Sequence, residues 1–240
     1  MLPFLNLGPL AIPTKPFLIL LGIYLALWLV EKTAAQLNFP PDLASDRLTK
    51  ILIGGFIAAR LVFVIEHWDI YARNPIGVIW PITAGFTPWA GFVGGALALV
   101  WATVYGSQKK KALWLSLDVL FPCLLIFYIA LRLGDLFGGP GFGTQTSLFG
   151  LQRHWAQAYD ALIALFAFAV WWWAQPQRPW PGWLTLIGTA VLSLGLTLTY
   201  PFRGDPQLIG NGWILGQLLM VGVTAVCFAL LAYKSEPPIQ

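Results

Sequence analysis

The chain has 240 residues, 58% of them hydrophobic and 10% charged, with a mean hydropathy of +0.72 and a formal net charge of +4. So small a charged fraction, against about 25% in soluble domains, excludes a water-soluble globular protein and predicts one integral membrane domain over residues 1–240. The cations are spread among apolar runs, which points to lipid headgroups and excludes nucleic acid as the partner.

In chain order, residues 1–15 are an apolar lead broken at Gly8-Pro9 and Pro13, expected at the outer interface. With no basic n-region and no small-residue cleavage site, the first span is expected to be retained. Apolar runs of near-spanning length follow at 16–30, 51–68, 82–105, 113–133, 158–173, 182–200 and 212–233. The expectation is an all-α protein of about seven transmembrane helices. Gly91, Gly94 and Gly95 in the third span suit close helix contact in lipid. Trp171 to Trp173 end the fifth span at an expected interface. Cys123 and Cys227 lie inside apolar runs without a CxxC pair, so neither a disulfide framework nor redox chemistry is expected.

Loops after odd-numbered spans hold eight cations (Lys32, Arg47, Lys50, Lys109 to Lys111, Arg178 and Lys234). The opposite side holds four: Lys15, Arg73, Arg153 and Arg203. This bias predicts an outside N-terminus and a cytoplasmic C-terminus. Outer-side arginines then need a reason other than topology.

The stretch 132–143 offers one. Arg132 and Asp135 stand three residues apart on a last helical turn, so they meet each other or converge on one ligand. Four glycines between Gly138 and Gly143 then end the helix and suit close backbone approach. Charge inside a span marks a candidate site, and guanidinium is the fork that fits phosphate. Arg60, Arg132, Arg153 and Arg203 are therefore candidate phosphate ligands. The plain alternative is neutralisation by Asp69, Asp135, Asp160 or Asp205.

Arg153-His154, with Gln157, Tyr159 and Asp160, brings an imidazole to the mouth of the fifth span. His154 there is a candidate general base, against the plain role of an interfacial anchor. Asp118 inside the fourth span requires a partner, and Arg60 is the expected one. His67 has no second ligand at metal spacing, so no metal or other cofactor is expected.

These stretches resemble the bacterial prolipoprotein diacylglyceryl transferase family along nearly the whole chain. Leu7-Gly8-Pro9-Leu10-Ala11-Ile12 resembles that family's start, and Ala58 to Val64, with Arg60, resembles its Gly-Gly-Arg-Leu-Gly-Tyr-Val segment. Asp118 with Pro122, then Arg132-Leu-Gly-Asp135 through Gly143, is similar to its signature. Arg153-His154 through Tyr159-Asp160 is similar to its Arg-His-Pro-x-Gln-Leu-Tyr-Glu, and Gly216-Gln217 to its final-span Gly-Gln. The resemblance implies transfer of a diacylglyceryl group from phosphatidylglycerol to the lipobox cysteine thiol of a prolipoprotein, at the outer leaflet of the inner membrane. It needs a base, arginines on the phosphate and a cleft open to lipid. Arg60, Arg132, Arg153, Arg203, Gly143 and Tyr159 would hold the lipid.

The departures from that pattern are specific. Trp89 stands where the family has a catalytic-type His, Asp135 where it has Asn, and Pro140 where it has Glu. Lys15 falls near its early Tyr, and Leu196 and Tyr200 replace two charges of its late run, leaving Arg203. Two readings follow. In the first, the chain is an active transferase with Asp135 or His154 as the base. In the second, it is a non-catalytic lipid-binding membrane module that works with a separate thioredoxin-like protein.

Overall fold

With no water in the hydrocarbon to satisfy the backbone, apolar runs of this length close their hydrogen bonds as helices. A computed structural model describes residues 4–8, 10–73, 76–79, 85–105, 111–138, 143–147, 153–204, 208–209 and 212–235. Pro9, Lys109, Lys110, the run 139–142 and Asp205 lie outside the described residues.

The expected outer lead is a hairpin: β1 (Phe4–Leu7) pairs antiparallel with β2 (Leu10–Pro13), Leu7 opposite Leu10. Then follow α1 (Thr14–Gln36), α2 (Pro41–Glu66) and two single turns, α3 (Trp68–Tyr71) and α4 (Ile76–Ile79). After them come α5 (Pro88–Val104), α6 (Lys111–Gly138), α7 (Ala156–Ala174) and α8 (Trp183–Thr199). A second small hairpin, β3 (Leu208–Ile209) with β4 (Trp213–Ile214), precedes α9 (Leu215–Ser235). Among the described residues, α1, α2, α6, α7, α8 and α9 are long and apolar enough to cross a membrane, and α5 is apolar but shorter. The chain is a helical, multi-pass membrane protein.

Two predicted boundaries move. The polar stretch 31–50 is mostly helix, because its charges are accommodated on helical faces: Lys50 pairs with Asp46 one turn away at 2.6 Å. In the third predicted span, residues 85–87 are not helical and α5 begins at Pro88, whose fixed φ suits a first helical position.

The chain forms two compact units, Val30–Ser116 and Met1–Leu29 with Leu117–Gln240. Within the first, α2 and α5 meet along small residues. A Cβ at Gly55 would stand 2.9 Å from the carbonyl oxygen of Gly91, and one at Gly94 would collide with Ala58. Within the second, α6, α7 and α8 close around Leu125, Ala164 and Ala167, with Phe121, Tyr128 and Phe168 against them. Leu186, Ala190 and Cys227 join α8 to α9. Cys123 and Cys227 are both buried.

Trp171 differs from the two tryptophans that follow it. It is fully buried, with its indole N–H donated to the Asp118 carbonyl at 3.1 Å, while Trp172 and Trp173 remain exposed. A helix turns successive residues by 100°, so three adjacent tryptophans cannot share one face.

Candidate functional site

The second unit carries its charges at its two ends. At one end, the last turns of α6 present Arg132 and Asp135, the first turns of α7 present Tyr159 and Asp160, and the turn after α8 presents Arg203. The carboxylate of Asp160, 1% exposed, is the centre. Its Oδ2 accepts from Arg203 at 2.6 Å and from Arg132 at 2.9 Å, and its Oδ1 accepts from the Thr199 hydroxyl at 3.1 Å. Arg132 Nε donates to the Tyr128 hydroxyl at 3.1 Å, and Arg203 stacks 4.1 Å above the Tyr200 ring. Asp135 Oδ2 stands 3.5 Å from Arg132 Nη1, and its Oδ1 binds Lys15 Nζ at 2.7 Å.

Three cations thus meet two carboxylates, and the cluster keeps one net positive charge. A guanidinium pair in a poorly solvated place, with its fork directions fixed by a shared acid, is prepared to take an anion.

His154 lies beside this cluster. Gly143 N–H donates to the His154 carbonyl at 2.8 Å, His154 N–H to the Thr144 carbonyl at 3.0 Å, and Thr144 N–H to the Phe202 carbonyl at 2.9 Å. The ladder ties His154 to the turn carrying Arg203. It also explains Gly143, because any Cβ there would run into the Phe202 carbonyl. The imidazole packs 4.6 Å from the Phe202 ring, and its Nδ1 lies 3.3 Å from the Tyr159 hydroxyl.

Arg153 is elsewhere. It pairs across its strand with Gln145, is exposed, and lines an open hollow of about 650 Å³ with Gln145, Thr146 and Ser147. Arg60 belongs to the other unit. Its Nε donates to the Val78 carbonyl and its Nη1 to the Gly85 carbonyl, each at 3.1 Å, and its Nη2 reaches the Gly77 carbonyl.

The expected pairing of Asp118 with Arg60 is replaced. Asp118, wholly buried, caps α8 from another helix. Its Oδ2 accepts the N–H of Gly182 at 2.6 Å, and its Oδ1 accepts the N–H and hydroxyl of Thr185, both at 2.9 Å. Arg178 follows at 3.8 Å. The first N–H groups of a helix lack partners inside it and carry its positive dipole end, so they are natural acceptor-seekers for a buried carboxylate. The cation nearest this carboxylate is Arg178.

Sequence reasoning counted Asp160 only as one plain pairing partner and missed it as the shared acceptor. The available signal was a carboxylate one turn into an apolar helix, which must find a cation. Lys15, Tyr128 and Thr199 carried no comparable signal.

Helices that fix two guanidinium groups on one buried acid at a common end define a multi-pass membrane protein with a net-positive cluster there. The chain belongs to the prolipoprotein diacylglyceryl transferase family, which its residues 3–233 match. A phosphatidylglycerol–prolipoprotein diacylglyceryl transferase of Thermosynechococcus vestitus is 24% identical over 253 residues, 97% of this chain and 93% of the relative. Those of Synechococcus elongatus and Shouchella clausii are 25% and 24% identical, over 94% and 98% of this chain and 84% and 91% of the relatives.

Proposed function

We propose that this chain moves the diacylglyceryl group of phosphatidylglycerol to a prolipoprotein cysteine thiol, at the outer leaflet of the bacterial cytoplasmic membrane. The observation that carries the reading is the convergence of Arg132 and Arg203 on Asp160, with net positive charge left over. In the transfer, a carbon–sulfur bond forms as the bond from the diacylglyceryl carbon to the phosphate oxygen breaks. The glycerol phosphate leaves with added negative charge, and the two guanidinium groups stabilise it.

His154 is the better base of the two candidates. Asp135 already has both oxygens engaged, one by Lys15 and the other by Arg132. In the His154 tautomer whose Nδ1–H donates to the Tyr159 hydroxyl, Nε2 is the atom that receives the proton. Gly143 and Tyr159 hold its strand and ring. Arg153 faces the hollow from which a polar substrate segment approaches. Arg60 orders the α4 turn through the carbonyls of Gly77 and Val78.

Seven crossings are proposed, counting α5, whose 17 residues span about 25 Å. With an outer N-terminus, the Asp160 end faces outward.

Complementation tests the reading. In a strain depleted of its own transferase, the chain should lipidate a reporter prolipoprotein, Arg132→Ala should abolish this, and Arg132→Lys should lower the rate about 100-fold. A correctly inserted chain that yields no lipidated product rejects it. The non-catalytic alternative is favoured by Trp89, 60% exposed at the start of α5, where the family pattern has His. Phosphatidylglycerol binding without transfer would select it.

A further inference from the structure

The two bonds of Asp135 are unequal: 2.7 Å to Lys15, and 3.5 Å, the outer limit of a hydrogen bond, to Arg132 Nη1. At i and i+3 on one helix, Asp135 would ordinarily close on Arg132. Something draws it away.

That competitor is held in register. Lys15 lies in a notch of α6 made by Gly134 and Gly138, which flank Asp135. A Cβ at Gly138 would stand 2.9 Å from the Lys15 Cβ, and one at Gly134 3.3 Å from its Cγ. The stem is fixed by this notch, and the ammonium meets Oδ1. Arg132 meanwhile commits Nη2 to Asp160 at 2.9 Å and Nε to Tyr128 at 3.1 Å. Nη1 is the nitrogen whose partner is remote.

We propose that Lys15 is a positioning residue that withdraws Asp135 from Arg132, so that Nη1 donates to the phosphate of an incoming anionic phospholipid. The inference rests on the phosphate-binding reading of this cluster and adds the residue that sets its affinity. Removing the ammonium lets Asp135 swing onto Nη1, which neutralises the fork and lowers the cluster from net positive to neutral. Removing the Asp135 charge as well restores both.

The test is a binding cycle in detergent-solubilised protein, titrated with short-chain phosphatidylglycerol and, separately, phosphatidylcholine. Lys15→Met keeps the apolar stem in the notch and should weaken phosphatidylglycerol binding about tenfold, with little change for phosphatidylcholine. The double variant Lys15→Met, Asp135→Asn should recover to within about threefold of the parent chain. Recovery in the double variant also shows that the notch tolerates methionine. Unchanged affinity in Lys15→Met, or a double variant as weak as the single one, overturns the proposal. The expected binding cycle in a chain that lipidates no reporter would sink the transferase reading and leave this inference standing. Transfer with a flat binding cycle would do the reverse.

Discussion

Buried acids in a membrane helix must be answered atom by atom, and Asp118 shows how. Both its oxygens are engaged, by Gly182 on one side and twice by Thr185 on the other, and Gly182 adopts a φ of +96° that a side chain would resist. Asp118→Ala strands those donors in a dry place and should lower the stability of the purified protein by about 3 kcal/mol. Asp118→Asn keeps an acceptor for Thr185 but turns an amide toward the Gly182 N–H, so its loss should be smaller. Thermal unfolding in detergent, with both variants beside the parent, checks the order. The need of Asp118 for a partner was legible in the sequence, since a charge inside a span demands one. The choice of partner was not. Arg60 was the cation expected from another span, but two of the answering groups are backbone N–H, which every residue except proline carries and which no sequence pattern marks. The Lys15–Asp135 contact was illegible for a related reason: two departures from the family pattern, 120 positions apart, make sense only when they touch.

At the level of elements, the glycines of the third span did announce a close helix contact. The pattern names a small-residue face; Gly54, Gly55, Ala58 and Ala59 of α2 supply the other side of the seam. Gly55→Ala places a carbon against the Gly91 carbonyl and should cost about 1–3 kcal/mol by forcing the helices apart. Gly222→Ala in α9 is the matched control, because its new carbon meets nothing within 4 Å. There the better helix propensity of alanine should leave stability unchanged or raise it by up to about 1 kcal/mol. Element ends were the less readable part. The stretch 31–50 looked like a loop because it is polar, yet a helix end needs a stop signal, and the chain offers one only around Asn38, whose φ is +54°, and Pro40.

Across the whole molecule, the cation count predicts opposite sides for the termini. A periplasm-active reporter fused before β1 and a cytoplasm-active reporter fused after α9 should both give signal, and the reversed pair should be silent. The same count predicts opposite membrane faces for the two polar ends of the second unit. Asp160 and Trp171 are 11 residues apart on α7, which is about 16 Å of helix. What fills that length is Leu125, Ala164 and Ala167, sealed by Phe121, Ile129 and Phe168. Among the residues of that layer the one hydroxyl is that of Tyr128, and it is engaged by Arg132 of the cluster itself, so no chain of hydroxyls or acids crosses it. On the outward orientation proposed above, the cluster exchanges protons and anions with its own side while the cell's electrochemical gradient stays intact, as an insulator between two terminals permits.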